Sequence, residues 1–182
     1  MKLIILDRDG VINADSDAYV KHPDEWHALP GSLQAIAKLH RAGWKIAVAS
    51  NQSGLARGYF DVAALNAMHQ KCLAQVRALG GHIDAFFICP HGPDDDCNCR
   101  KPLPGMFHDI GRRFDVNLKG VPAVGDSLRD LQASAAAGCT PWLVETGNGL
   151  KTRQSPQLPA NTQFATDLAD VVNQLLDSET PS

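Results

Sequence analysis

Short, uninterrupted apolar runs recur along the chain, and each is followed by a longer stretch with helical periodicity. The runs are Leu3–Leu6, Lys45–Ala49, Ala85–Ile88, Val121–Val124, Trp142–Val144 and, more weakly, Gln163–Ala165. Helical patterns cover Ser32–Ala42, Val62–Leu79, Met106–Phe114, Leu128–Ala137 and Leu168–Leu176. A strand that is apolar on both faces has to be covered on both faces, and a helix between successive strands lets them run parallel. The pattern therefore predicts an α/β fold of Rossmann-like, doubly wound type, a parallel sheet with helices on both sides. At 182 residues, without internal repeats or an interdomain linker, residues 1–182 are expected to form a single domain. The polar, proline-containing stretch Leu150–Ala160 is expected to be a mobile loop, and only the last few residues resemble a disordered tract.

Charge and apolar run lengths exclude several classes. The formal net charge is −3 and the basic residues are scattered, so no nucleic-acid partner is expected. The opening run stops at Asp7-Arg8-Asp9, far short of a signal-peptide core or a membrane span, which reads as a buried strand of a cytoplasmic protein with no membrane partner. No long apolar surface stripe suggests an oligomer, so a monomer is the expectation.

In a sheet of this kind ligands bind beyond the carboxyl ends of the strands. The polar residues after four successive runs are Asp7-Arg8-Asp9-Gly10, Ser50-Asn51-Gln52-Ser53-Gly54, Cys89-Pro90-His91 and Gly125-Asp126-Ser127. Asp7 and Asp9 can face one site if the chain turns sharply at Gly10, and Asp126 is a natural third carboxylate. Such a set suits Mg²⁺, which takes oxygen ligands and commonly keeps waters. Taken alone, Asp-x-Asp-Gly is as readily a solvated turn. Ser50 is equally suited to holding a phosphoryl oxygen and to capping a turn. Arg100-Lys101 precedes a helix start at Pro104-Gly105; the lysine can neutralise a transferring phosphoryl group, and the arginine can grip a second anion.

Cys89-x-His91-x₅-Cys97-x-Cys99 brings three thiols and an imidazole together in a short span. That donor set matches a closed, tetrahedral, structural zinc site, and Asp94-Asp95-Asp96 within it argues against a loop of buried free thiols. Cys72 and Cys139 are expected in the core, and His22, His27, His40, His69, His82 and His108 on the surface or in structural roles.

The order Asp7-x-Asp9, Ser50, Lys101, Asp126 resembles the haloacid dehalogenase-like superfamily of phosphohydrolases. The resemblance implies that Asp7 is a nucleophile and Asp9 an acid and base, with Ser50 and Lys101 steadying the phosphoryl group. It also implies that Mg²⁺ is held by Asp7, the Asp9 main-chain carbonyl and Asp126. Lys101 follows the third strand so closely that there is space for the zinc-stabilised loop but for no large cap domain. The loops Asn13–Val20, Asn51–Phe60 and Cys89–Arg100 should then read the substrate.

Within the superfamily, Asp-Arg-Asp-Gly-Val-Ile-Asn, Ser-Asn-Gln-Ser-Gly-Leu-Ala-Arg-Gly, Cys-Pro-His and Cys-Arg-Lys-Pro-x-Pro-Gly-Met resemble the D-glycero-D-manno-heptose 1,7-bisphosphate 7-phosphatases. The related histidinol-phosphate phosphatases are a second match. The first resemblance implies a small sugar bisphosphate substrate from lipopolysaccharide or surface-glycan precursor synthesis. It implies contacts from Asp15, Tyr19, Ser50, Asn51, Gln52, Ser53, Arg100 and Lys101. Ser127 departs from it, because those enzymes often place a substrate-binding lysine there. Arg100 beside Lys101 favours a bisphosphate, whereas Asp15 or Asp17 would suit the amine of histidinol. A non-catalytic phospho-acceptor module also groups carboxylates and a lysine around Mg²⁺, but it has no use for Asp9 or for a zinc loop.

Overall fold

The computed structural model describes residues 1–179; the expected disordered tail lies at the edge of and beyond these residues. Six strands form one parallel sheet in the order β3-β2-β1-β4-β5-β6. They are β1 Leu3–Leu6, β2 Lys45–Asn51, β3 Ala85–Cys89, β4 Pro122–Gly125, β5 Thr140–Val144 and β6 Gln163–Ala165. Every adjacent pair is parallel. The helices are α1 Ser32–Arg41, α2 Val62–Ala78, α3 Gly105–Phe114, α4 Leu128–Ala136, α5 Gly149–Thr152 and α6 Leu168–Glu179.

The strands bury both faces, and β1 shows how. Ile4 and Leu6 join a core with α1, α2 and α6 through Ile36, Leu65, Met68 and Val171. Leu3 and Ile5 join a second core with α3 through Met106, Phe107 and Ile110, and with Ala133 of α4. Alternation along one strand thus feeds two layers, as the doubly wound arrangement requires.

Element positions follow the sequence pattern with small shifts at the ends. Between β1 and α1 the chain makes only one short 3₁₀ turn, Pro23–Glu25, and no cap domain. The expected mobile stretch from Leu150 is corrected at its start. It begins inside α5, where the Thr152 hydroxyl donates to the Asp126 carbonyl at 2.7 Å and the side chain is buried. Among the described residues no helix is long and apolar enough to cross a membrane.

Candidate active site

Strand order reverses at β1, with β2 on one side and β4 on the other. Asp7 and Asp126 therefore emerge from neighbouring strands at the switch point where such sheets bind ligands. The Asp7 N–H still pairs with the Val124 carbonyl at 2.9 Å, so the first carboxylate leaves the sheet at a fixed place. The chain then turns at Gly10, whose φ is +86°; a Cβ there would strike the Asp126 carboxylate. Asp7, Asp126 and Asp130 each offer a carboxylate oxygen, all within 4.8 Å of one another.

Asp130 is a member that sequence reading missed. It sits in the first turn of α4, three residues after the N-cap Ser127. Its carboxylate accepts from the N–H groups of Asp126 at 3.2 Å and Ser127 at 3.1 Å. The Ser-x-x-Asp spacing after Gly125-Asp126 is the signal that could have exposed it.

Lys101, only 2% exposed, reaches into this acidic group. Its Nζ lies 2.7 Å from Asp130 and 3.1 Å from Asp7, and it donates to the Ala49 carbonyl at 2.8 Å. All three ammonium protons are therefore engaged. Burial works to discharge the amine, but Asp130 and Asp7 outweigh it and hold its pKa above the usual value. Burial likewise opposes the charge on Asp130, yet Lys101 holds its carboxyl below the usual range. Asp7 is pushed well up by burial and then by Asp130. Asp126 is pushed up to about 7 by burial and by Asp130. One lysine does not balance three buried carboxylates, and the surplus falls on Asp7 and Asp126. The Asp9 carbonyl, two residues on from Asp7, accepts no hydrogen bond from the described residues. These oxygens form a donor set that fits a hard divalent cation; Asp130, occupied by Lys101 and two N–H groups, braces it.

The Asp9 carboxylate is held by three side chains. Arg8 donates through Nη2 at 2.9 Å and Nε at 3.2 Å, Asn13 at 2.8 Å, and Gln52 at 3.2 Å. Gln52 also donates to the Ser50 hydroxyl at 2.8 Å. Ser50 is 1% exposed and accepts that bond near the carboxyl end of β2. Asn51 likewise spends both ends of its amide on the Lys101 backbone, accepting from the N–H at 3.0 Å and donating to the carbonyl at 3.1 Å.

Over Asp7, Asp9, Lys101 and Asp126 lies a cavity of about 340 Å³. Asp15, Asp17 and Tyr19 line it from the first expected loop, and Asn51, Gln52, Ser53 and Arg57 from the second. Arg100, Arg129 and Asn148 complete the wall. Ser127, by contrast, does not face it. Arg57, Arg100 and Arg129 have no carboxylate within ion-pair distance among the described residues. Arg57 sits within a loop expected to read substrate; Arg129 carries no motif in the sequence and was missed. Tyr19 holds an unusual φ of +64° and meets Tyr59 edge-on, with ring centroids 5.0 Å apart.

Beside the cavity Cys89, His91, Cys97 and Cys99 gather their donor atoms within 4.8 Å. Sulfur separations from Cys89 are 2.9 Å to Cys99 and 4.0 Å to Cys97, and His91 Nδ1 lies 3.5 Å from Cys89 and 3.4 Å from Cys99. Tetrahedral zinc with Zn–S bonds of about 2.3 Å would set its sulfurs about 3.8 Å apart, which the Cys89–Cys97 pair matches and the Cys89–Cys99 pair undercuts. The loop is tied to the cavity wall, since Arg100 donates through Nη1 to the His91 carbonyl at 3.3 Å, and its backbone N–H pulls the Cys97 thiol pKa down. Cys72 and Cys139 are buried in the two cores as expected. His69 is also buried, stacked on Phe86 at 4.1 Å, with its pKa depressed to about 4 by burial and then by Arg8.

The family model for haloacid dehalogenase-like hydrolases matches residues 7–138. The chain belongs to that family. This haloacid dehalogenase-like chain is 67% identical over 176 residues to the D-glycero-β-D-manno-heptose-1,7-bisphosphate 7-phosphatase of Bordetella bronchiseptica, covering 97% of this chain and 98% of the relative. The enzyme of that name from Pseudomonas aeruginosa is 53% identical, covering 96% and 97% of the two chains. A crystal structure of the D,D-heptose 1,7-bisphosphate phosphatase of B. bronchiseptica, complexed with magnesium and phosphate, superposes with a TM-score of 0.97 at 66% identity, over 98% of this chain and 99% of that one.

Proposed function

We propose that this protein is a Mg²⁺-dependent phosphatase that removes the 7-phosphate of D-glycero-D-manno-heptose 1,7-bisphosphate, acting in the cytoplasm as a single-domain monomer in lipopolysaccharide precursor synthesis. The observation that carries the reading is the pairing of two features in one cavity. Lys101 is clamped between Asp7 and Asp130 on the floor, and three arginines without carboxylate partners stand in the wall. A phosphoryl group on the floor would leave the arginines facing a second anion, which a bisphosphate has and a simple monoester lacks. Arg129 would supply the positive charge that Ser127 does not. The names of the relatives support the same substrate and its β-anomer.

The chemistry is set by the residues. An Asp7 carboxylate oxygen attacks phosphorus, the bond to the sugar oxygen breaks, and Asp9 gives that oxygen its proton. Water then attacks the phosphorylated Asp7, Asp9 takes a proton from it, and inorganic phosphate leaves as the Asp7 carboxylate is restored. Splitting hydrolysis in this way replaces one difficult displacement by two easier ones. Mg²⁺, held by Asp7, Asp126 and the Asp9 carbonyl, would supply charge neutralisation at the phosphoryl oxygens. Lys101 contributes a fixed positive charge at the attacking carboxylate. Zinc on Cys89, His91, Cys97 and Cys99 would be structural, fixing where Arg100 points.

Histidinol phosphate is the second reading, and Asp15 and Asp17 in the wall favour it because an ammonium would pair with them. Phosphate release measured with Mg²⁺ on the α- and β-anomers of the heptose bisphosphate and on histidinol phosphate decides between the two. The heptose bisphosphate should give the highest kcat/KM by at least an order of magnitude, about 1.4 kcal/mol. Equal or faster turnover of histidinol phosphate would overturn the assignment.

A further inference from the structure

The family match ends at residue 138, yet part of the site is built by the segment after β5. The Asn148 backbone N–H donates to Asp126 Oδ2 at 2.8 Å, and its side-chain amide approaches the same oxygen at 3.4 Å. That amide also reaches Asp15 Oδ2 at 3.4 Å, in the loop after β1. The Thr146 hydroxyl donates to the Gly10 carbonyl at 2.7 Å. Between them Gly147 has a φ of +58°, and a Cβ there would collide with the Asp126 carboxylate and the Gly10 Cα. Four contacts from one short segment thus converge on Asp126, on the Gly10 turn and on the Asp15 loop.

We propose that Thr146-Gly147-Asn148 is a positioning element that sets how Asp126 binds the metal and ties the metal site to the substrate loop. Asn148 occupies Oδ2 of Asp126, and no hydrogen bond from the described residues uses Oδ1. Oδ1 is therefore the oxygen presented to the cation, and Asp126 ligates through that single atom. Gly147 allows the backbone to come close enough for this bond to form. Thr146 pins the Gly10 turn, which carries Asp9 and hence the carbonyl ligand. The Asn148 amide, set between two carboxylates, couples Asp126 to Asp15, so an ordered metal site also orders a wall of the cavity. Asn148 is thus a positioning residue and not a catalytic one. The proposal rests on the reading of Asp126 as a Mg²⁺ ligand; the coupling to Asp15 also rests on the substrate reading.

Mn²⁺ binding followed by electron paramagnetic resonance, on the full chain without substrate, tests the first half apart from any turnover. Asn148→Ala keeps the backbone donor and loses the amide, so its Mn²⁺ Kd should rise roughly two- to tenfold. Thr146→Val should act in the same direction. Gly147→Ala should weaken binding by more than about tenfold, since strain and the collision fall together on Asp126. Unchanged circular dichroism and thermal midpoints in Asn148→Ala and Thr146→Val show that the fold is kept, so the proposal does not depend on Gly147→Ala folding. For the second half, Asn148→Ala should raise KM for the bisphosphate more than for p-nitrophenyl phosphate. Adding Asn148→Ala to Asp15→Ala should bring no further rise in KM. Wild-type Mn²⁺ affinity in both Asn148→Ala and Thr146→Val would overturn the proposal for the metal, and additive effects with Asp15→Ala would overturn the coupling. If the wild type does not hydrolyse the heptose bisphosphate but its metal affinity depends on this segment, the substrate reading fails and the positioning role stands.

Discussion

Replacing Lys101 by Met tests the organisation of the floor, because it removes the charge and keeps nearly the same volume. Lys101 is 2% exposed, and its ammonium is shared by Asp130 at 2.7 Å and Asp7 at 3.1 Å. Without it both carboxylates stay buried with no cation of their own. Breaking a buried pair in this way costs about 3–5 kcal/mol, a large part of the 5–15 kcal/mol that typically holds a domain folded. With a urea m-value of roughly 2 kcal/mol/M, the midpoint should fall by about 2 M. The loss should depend on pH, and the sign comes from the carboxylates. In the wild type Lys101 holds the Asp130 pKa below 3.8, so its stabilisation is present above that pH and is lost only as pH falls through the lower, folded value. Lys101 itself titrates above 10.5, so its contribution is constant through the neutral range. In the variant the two carboxylates take up protons more readily, so the deficit should be largest near about pH 8 and shrink toward about pH 5. Urea unfolding followed by circular dichroism in the presence of a chelator gives both numbers. A deficit below about 1 kcal/mol, or one independent of pH, would refute the idea that Lys101 compensates these two buried charges. The kcat should fall by roughly 10²–10³, as for loss of one preorganised electrostatic contact in other enzymes.

Four further outcomes are expected. Asp7→Asn should retain less than about a tenth of the wild-type kcat with an unchanged fold, since an amide is a poor nucleophile; more activity than that contradicts its role. Asp9→Asn should lose roughly 10²–10⁴-fold on sugar phosphates and much less in single-turnover phosphorylation by p-nitrophenyl phosphate, whose leaving group needs little protonation; equal defects on both would exclude Asp9 as the acid. Metal analysis of the wild type should find about one zinc per chain, and Cys97→Ser combined with Cys99→Ser should lose it and raise KM for the bisphosphate, because Arg100 and Lys101 are no longer held; normal kinetics in the double variant would rule out that link. Metal-free protein should lose stability as pH rises from about 4 to about 7: Asp126 is raised from 3.8 to about 7 and Asp7 is raised as well, so the folded state holds protons that the unfolded state has released. Saturating Mg²⁺ should flatten that slope, and calorimetry across the range checks it.

The sheet was legible because each strand is apolar on both faces, a pattern that few alternatives satisfy. The floor was legible for the same reason, since Asp7, Asp126 and the residues after β2 stand directly behind apolar runs, where strand order alone brings them together. The features that were not legible depend on side-chain direction. Ser50 and Asn51 end β2, where the Ser50 hydroxyl accepts from Gln52 and the Asn51 amide, at the cavity wall, pairs with the Lys101 backbone. Arg129 and Asn148 carry no motif of their own, and they face the cavity only because α4 and the segment after β5 pass over Asp126. Thr152 illustrates the same limit. A polar stretch reads as a mobile loop, and nothing local in the sequence shows that its hydroxyl caps the Asp126 carbonyl.

The charges around the floor also explain why the arginines stand where they do. Asp7, Asp9, Asp126 and Asp130 outnumber the two buried cations among them, Arg8 and Lys101. With Asp7 and Asp126 ionised, that floor repels a phosphate dianion unless a divalent cation is in place, so metal binding should precede or accompany substrate binding. The attraction that brings the substrate in must then come from elsewhere in the cavity. Arg57, Arg100 and Arg129 would supply it from the wall, since none of them has a carboxylate within ion-pair distance among the described residues. A substrate carrying a second phosphate engages that wall while its first phosphate meets the metal. A lone phosphate engages only one of the two, which is the physical basis for discrimination between a bisphosphate and the monophosphate left after hydrolysis.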